Sequence, residues 1–245
     1  MDRFYDRYDL RARLSVAVLI ISPIVLDLSF CIDYQEGSIA AIVLALITIA
    51  LSCCGIAAVR YYSDTSKKCS GRDNLAAQML RQTDSSIPSS TKQRYYYKLK
   101  QINPELSPLI DEIDSEKNGY ENSRSIIQWL LENTRDNSLF PVLAEEKIGY
   151  GFAKNMYVVK PFALITFFAE SSLAIIITLS RVDAPCLLAR ACKAWKQYSL
   201  DIIISTTIHL VIFLVWVFIA RERFFCDAER KLAKAILYSI DGMKA

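Results

Sequence analysis

The sequence predicts an all-α membrane protein: four membrane-crossing helices with a helical cytosolic domain inserted between the second and third. Three observations carry that prediction. Hydrophobic residues make up 53% of the 245 positions and mean hydropathy is +0.22, yet 22% of the residues are charged. The charges are gathered into blocks, and the runs between them are nearly free of charge. The one long polar stretch is punctuated by Ser, Pro and Asn at intervals that suit short helices, with no alternation of the kind a strand needs.

A helix needs ~20 mostly apolar residues to cross a hydrocarbon core ~30 Å thick. The first candidate runs from Leu14 to Ile32 and the second, without a single charge, from Ser38 to Val59. The third extends from about Val158 to Leu179 and the fourth from about Tyr198 to Ala220. The first is too long for the apolar region of a cleaved signal and leads directly into the second, so residues 1–59 read as an N-terminal tail and a membrane hairpin. Residues 158–220 form the other hairpin, 60–157 the cytosolic domain and 221–245 a C-terminal helix.

Orientation follows Lys and Arg, which concentrate on the cytoplasmic side. Arg3, Arg7, Arg11 and Arg13 precede the first span, Arg60, Lys67, Lys68 and Arg72 follow the second, and Arg221, Arg223, Arg230, Lys231 and Lys234 follow the fourth. Both termini are therefore expected inside. The outer loop dissents with Arg181, Arg190, Lys193 and Lys196; its LLARACKAWKQY string has the Leu, Trp and basic mixture of an interfacial helix.

Inside 60–157, Asn74 to Arg81 is expected to be helical, and Ser85 to Ser90 is a breaker in which Ser89 or Ser90 caps a helix over Thr91 to Ile102. That helix ends near Pro104, Ser107-Pro108 opens a new turn, and Asp111 to Gly119 is acidic and weakly patterned. Asn122 to Thr134 carries Ile126, Ile127, Leu130 and Leu131 at helical spacing, and Pro141 sits at the first position of a helix running to about Met156 or beyond.

Several chemistries are missing. No Gly-rich phosphate loop, HExxH or GxSxG occurs, and no Cys/His cluster has metal-ligand spacing. The single histidine, His209, lies within the fourth span. A non-enzymatic protein without cofactor or metal is therefore expected. The balance of 29 Lys+Arg against 26 Asp+Glu is too even for nucleic acid to be its main partner. The expected partners are the lipid bilayer, further copies of the chain, and a cytosolic protein or nucleotide trigger.

Four groups of residues are candidates for function. Ionisable side chains inside a span are costly and usually face protein or water. Glu170 lies ten residues past Lys160, ~15 Å deep, and His209 lies eleven residues past Tyr198 from the opposite face, ~16 Å deep, so both fall near the midplane. Two readings stay open for the pair: a structural contact or a path for ions or protons. Asp27 sits nearer the outer surface, and Asp201, Ser205 and His209 recur every fourth residue as a polar stripe. In the second span Ala41, Ala45, Thr48, Ser52 and Gly55 form a stripe of small residues that lets helix backbones approach, within one chain or between chains. Lys92, Arg94, Lys98 and Lys100, interleaved with Tyr95, Tyr96 and Tyr97, fit either an anionic headgroup or nucleotide, or a solvated helix face. Arg135, Asp136, Glu145 and Glu146 fit either a salt-bridge network holding the domain to the spans or an element that transmits a cytosolic signal.

Several strings resemble a family of small bacterial four-span membrane proteins without an established activity. They are Tyr8-Asp9-Leu10 with Ala12-Arg13, Thr91-Lys92 with Arg94-Tyr95, Trp129-Leu130, Thr134-Arg135-Asp136, Phe140-Pro141, Glu145 or Glu146, Tyr150-Gly151-Phe152, Asn155 and Lys160-Pro161. In build the chain is similar to membrane effectors of bacterial phage-defence operons. The resemblance implies a multi-pass protein of the bacterial inner membrane. The small-residue stripe, the acid and histidine near the midplane and the missing catalytic motifs lead to the expectation of an oligomeric effector that opens or damages the membrane on a signal at its cytosolic domain. The alternatives are a proton-coupled channel or transporter using Glu170 and His209, and a membrane-anchored protein whose cytosolic domain recruits a partner.

Overall fold

In the computed structural model the described residues are 7–31, 47, 48, 50, 53–62, 75–180 and 187–243; among them every regular element is helical and no strand occurs. The order is a π-helical turn Asp9–Leu14, α1 (Ser15–Cys31), helical residues 53–62 (α2), α3 (Leu75–Leu80), α4 (Ser89–Ile102), and a 3-10 turn Pro104–Leu106. Then come α5 (Ser107–Asp111), α6 (Gly119–Asn133), α7 (Pro141–Ser180), α8 (Leu187–Leu214), a second π-helical turn Val215–Ile219, and α9 (Glu222–Gly242). They form two compact units: Met1–Ser66 with Phe152–Glu222, and Lys67–Gly151 with Arg223–Ala245. The first is called the apolar-faced unit below and the second the polar-faced unit.

Local chemistry explains the boundaries of the polar-faced unit. Pro88, extended at φ −56° and ψ 139°, is the N-cap of α4, and its carbonyl accepts from the Thr91 and Lys92 N–H groups. Ser89 and Ser90 thus lie within the first turn and make no side-chain cap, contrary to the expected capping role; the proline carbonyl already receives those N–H groups. Asn103 leaves the helix in the extended backbone that a following proline imposes, and its side chain accepts from the Glu105 N–H at 3.0 Å to start the 3-10 turn. Pro108 stands in the first turn of α5, where its missing N–H costs nothing. Thr134 closes α6 by donating its hydroxyl to the Leu130 carbonyl at 2.9 Å. Asp136 then accepts from the Ser138 N–H and hydroxyl at 2.8 and 2.6 Å, and Pro141 opens α7.

The core of this unit is an ordinary apolar interior. Leu80, Tyr95, Leu99, Ile126, Leu130, Leu237 and Ile240 are enclosed, with Ile87, Ile110, Ile113 and Ile236 beside them. The last helix is integral to it: α9 is amphipathic and contributes Phe225, Ala233, Ala235, Ile236, Leu237 and Ile240 to the buried side. The sequence division set 221–245 apart as a helix of its own. The structure groups Arg223 onward with the 67–151 segment because that apolar stripe has a core to cover.

The apolar-faced unit is held by a second cluster. Val16, Ala17, Ile20 and Ile21 of α1, Val59 of α2, Met156, Val159 and Ala163 of α7, and Ile212, Trp216 and Ala220 recur at the three- and four-residue spacings that align side chains on one helix face. Gly55 is where α2 comes closest to α1: a Cβ there would stand 2.6 Å from Ile21 Cδ1 and 3.1 Å from Ala17 Cβ. Beyond this cluster large apolar side chains stand outward, with Ile165 70%, Phe168 58%, Ile176 62% and Leu200 68% exposed.

Among the described residues one helix, Pro141–Leu173, is long and apolar enough to cross a membrane, and Ile203–Ile219 meets the same test only when joined to Glu222–Gly242, so one or two such helices stand where four were expected. The expected first span appears as α1, 17 residues long with Pro23 inside it, and the expected second span falls mostly outside the described residues. The expected interfacial string 187–198 is the first part of α8 and continues without a break into the fourth apolar stretch.

Candidate functional site

The long α7 and α8 bring Glu170 and His209 together. His209 Nε2 lies 3.8 Å from Glu170 Oε1, at ion-pair distance, and the two side chains are only 11% and 10% exposed. At the other edge of the imidazole, Nδ1 is 2.8 Å from the Ser205 carbonyl oxygen and 3.3 Å from its hydroxyl. A carbonyl can only accept, so Nδ1 carries the hydrogen. Nε2 therefore faces the Glu170 carboxyl group. Phe167 stacks at 5.7 Å from the imidazole, and Phe213 packs 5.5 Å from Phe167, so one side of the pair is walled by aromatic rings.

The rest of the polar stripe is less completely placed. Ser205 is the one member besides His209 whose side chain is described, one turn before it on α8. Asp27 and Asp201 lie on α1 and α8, and their side chains fall outside the described residues. Of the small-residue stripe, Ala41, Ala45 and Ser52 also fall outside them, Thr48 is half-buried, and Gly55 packs against α1 of its own chain.

The basic helix α4 is engaged with the protein itself. Lys92 is 1% exposed, and its ammonium group donates to the Arg81 carbonyl and, at 2.5 Å, to that of Asp84. It is thus internal, donating to carbonyls of the turn that follows α3. Arg94 pairs with the Asp241 carboxylate at 2.7 Å, Lys98 donates to the Asp241 backbone oxygen at 2.7 Å, and Lys100 pairs with Asp111 at 2.5 Å. The tyrosines divide by helical position: Tyr95 is buried, Tyr96 donates its hydroxyl to the Leu80 carbonyl at 2.5 Å, and Tyr97 is exposed. Burial, before all else, pushes the Tyr96 hydroxyl well above the ordinary tyrosine range. The group Arg135, Asp136, Glu145 and Glu146 lies along the α6–α7 connection and the first turns of α7. Its clearest bonds are those of Asp136 to Ser138, which also hold that carboxyl below the usual range.

Two contacts escaped the reading of candidate residues. Asn155, fully buried on α7, donates from Nδ2 to the Ala12 carbonyl at 2.8 Å, and Lys160 reaches the Val217 carbonyl at 3.5 Å. Both carbonyls belong to π-helical turns, whose wider winding breaks the regular ladder of backbone bonds. Asn155 and Lys160 stood in the sequence as resembling strings, but nothing in the spacing announces a π turn, so their acceptors were not legible.

Among the described residues no three His, Cys, Asp or Glu side chains gather as a metal site. Compared with family models, curated proteins and solved structures, the chain matches none.

Proposed function

We propose that the chain is a non-enzymatic integral membrane protein that crosses the bacterial inner membrane four times, with both termini in the cytoplasm, and acts on the bilayer as a homo-oligomer. The observation that carries this reading is the inverted distribution in the apolar-faced unit, where Ile165, Phe168, Ile176 and Leu200 point outward while Glu170 and His209 are enclosed. Hydrocarbon as the surrounding solvent favours that arrangement, and water penalises it. The polar-faced unit is the part a cytosolic protein or nucleotide would address. Antiphage defence through membrane damage is the biological setting that the resemblance of build supports. The test is expression in cells carrying a potential-sensitive dye. Collapse of membrane potential on induction, alone or with neighbouring genes, is the expected result; unchanged potential and growth at strong expression would sink the effector reading.

A second reading, proton-coupled passage, is favoured by one specific geometry: the Nδ1 bond to Ser205 leaves Nε2 facing Glu170 across 3.8 Å. In liposomes Glu170→Gln is then expected to abolish proton flux while the protein still inserts and assembles. Equal flux from the variant would remove this alternative.

A further inference from the structure

The second π-helical turn holds two cations at one point. Val217, inside the turn Val215–Ile219, offers its carbonyl oxygen to Lys160 Nζ at 3.5 Å and to Arg221 Nε at 3.1 Å. Like charges gathered on one neutral acceptor repel each other, and a carbonyl dipole offsets only part of that repulsion. Among the described residues the only acceptor recorded for either cation is this carbonyl. The adjacent acid, Glu222, begins α9, where a helix N-terminus favours a carboxylate. The remaining donors of both cations are therefore suited to an anion from outside the chain.

The surroundings say which kind. The Arg221 guanidinium lies 4.8 Å over the ring of Phe218, which is itself mostly exposed, so one face of this feature is apolar and its tip is cationic. From α2, Tyr62 packs 5.4 Å from Phe162, two residues past Lys160, and brings Tyr61 and the exposed Arg60 to the same end of the unit. Aromatic rings interleaved with basic side chains mark the boundary between acyl chains and headgroups. The depth agrees: Lys160 is ten residues before Glu170, ~15 Å along the helix, which is the distance from midplane to the edge of a ~30 Å core.

We propose that Lys160 and Arg221, gathered on the Val217 carbonyl and flanked by Phe218, form a binding site for the phosphate of an anionic phospholipid headgroup. The inference rests on the reading that this unit lies in a bilayer. Its test uses the purified full-length chain in neutral detergent micelles, titrated with phosphatidylglycerol, with phosphatidylcholine or with soluble glycerol phosphate, and reads the thermal midpoint. Phosphatidylglycerol is expected to raise the midpoint at concentrations where the other two do not. The double substitution Lys160→Gln/Arg221→Gln should raise the phosphatidylglycerol concentration required roughly thirtyfold, and each single substitution about fivefold. Arg221→Lys should retain most of the response. Should the double variant fail to fold, the two singles decide the matter. Equal stabilisation by phosphatidylcholine, an equal effect of glycerol phosphate, or parent-like response in the substituted chains would each overturn the site. A chain that stays soluble and monodisperse without detergent would instead overturn the membrane reading on which it stands.

Discussion

In the polar-faced unit Leu80, Leu99, Leu130 and Leu237 are enclosed, and the charged residues Arg94, Lys98 and Lys100 stand outside. In the apolar-faced unit Ile165, Phe168 and Ile176 stand outside, and an acid and a histidine are within. Each unit also buries charge-bearing groups, and each does so differently. Lys92 is surrounded by backbone carbonyls, with Asp84 and Asp114 near enough to favour its charge, whereas Glu170 and His209 face each other. The contrast teaches that one chain satisfies buried charge in two ways. Where charged residues face outward, the buried Lys92 is held by backbone carbonyls of the turn after α3. Where apolar side chains face outward, the enclosed Glu170 finds its partner, His209, on another helix, because a buried polar group without a partner is costly.

The comparison is broken most severely by removing α9. A chain ending at Glu222 loses Ile236, Leu237 and Ile240 from the polar-faced core and the buried Phe225, each contributing about 1.5–3 kcal/mol. The total rivals the about 5–15 kcal/mol that stabilises a typical domain. Rapid hydrogen exchange through α4 and α6 is expected, with the apolar-faced unit still protected; retained protection in α4 would show that α9 is dispensable.

Next in size is the buried pair. His209→Leu leaves Glu170 without its facing imidazole and should cost about 3–5 kcal/mol, read as a lowered thermal midpoint in micelles. The double substitution Glu170→Leu/His209→Leu should be milder than either single change, since two apolar side chains suit this site. Strict additivity of the two single changes would mean that the pair is not coupled.

Lys92→Met keeps the volume but strips the donor from the Arg81 and Asp84 carbonyls, and about 3 kcal/mol should be lost from the polar-faced unit by chemical denaturation. A loss below about 0.5 kcal/mol would mean that water replaces the ammonium group without cost.

The smallest expected effect is a pH dependence. Tyr96 holds its proton in the folded chain above the ordinary pKa of 10, because burial opposes the phenolate. Once the pH passes about 10 the unfolded chain loses this proton and the folded chain keeps it, so the unfolded state binds fewer protons and stability falls as pH rises. Lys92, lowered by burial from 10.5, acts in the opposite sense, so the measurement is the difference between parent and Tyr96→Phe. That difference should be about 1 kcal/mol at neutral pH and shrink above pH 10. A gap that stays constant to pH 11 would contradict it.

Much of this organisation was legible beforehand, and the residues show why. Pro88, Pro104, Pro108 and Pro141 mark helix boundaries because a ring-locked backbone without an N–H acts locally. Glu170 and His209, the acid and imidazole singled out as candidates for a pair by counting residues along their apolar helices, do lie together at 3.8 Å. The interior position of Lys92 was not legible. In sequence it is one of several Lys and Arg on a basic helix, and only the end of α3 meeting that helix supplies the carbonyls that enclose it.

By itself, then, the amino-acid order determined the helical class, the apolar runs and the turns set by proline, because each depends on neighbours a few positions away or on one periodic rise. Tertiary structure alone decided that residues 223–243 complete a core begun at residue 75, that Gly55 accepts Ile21 and Ala17 of the same chain, and that two π-helical turns hand their carbonyls to Asn155 and Lys160. Those contacts join groups far apart along the chain, and which distant partner satisfies an open donor or fills a gap depends on how the helices pack, a property that no local pattern encodes.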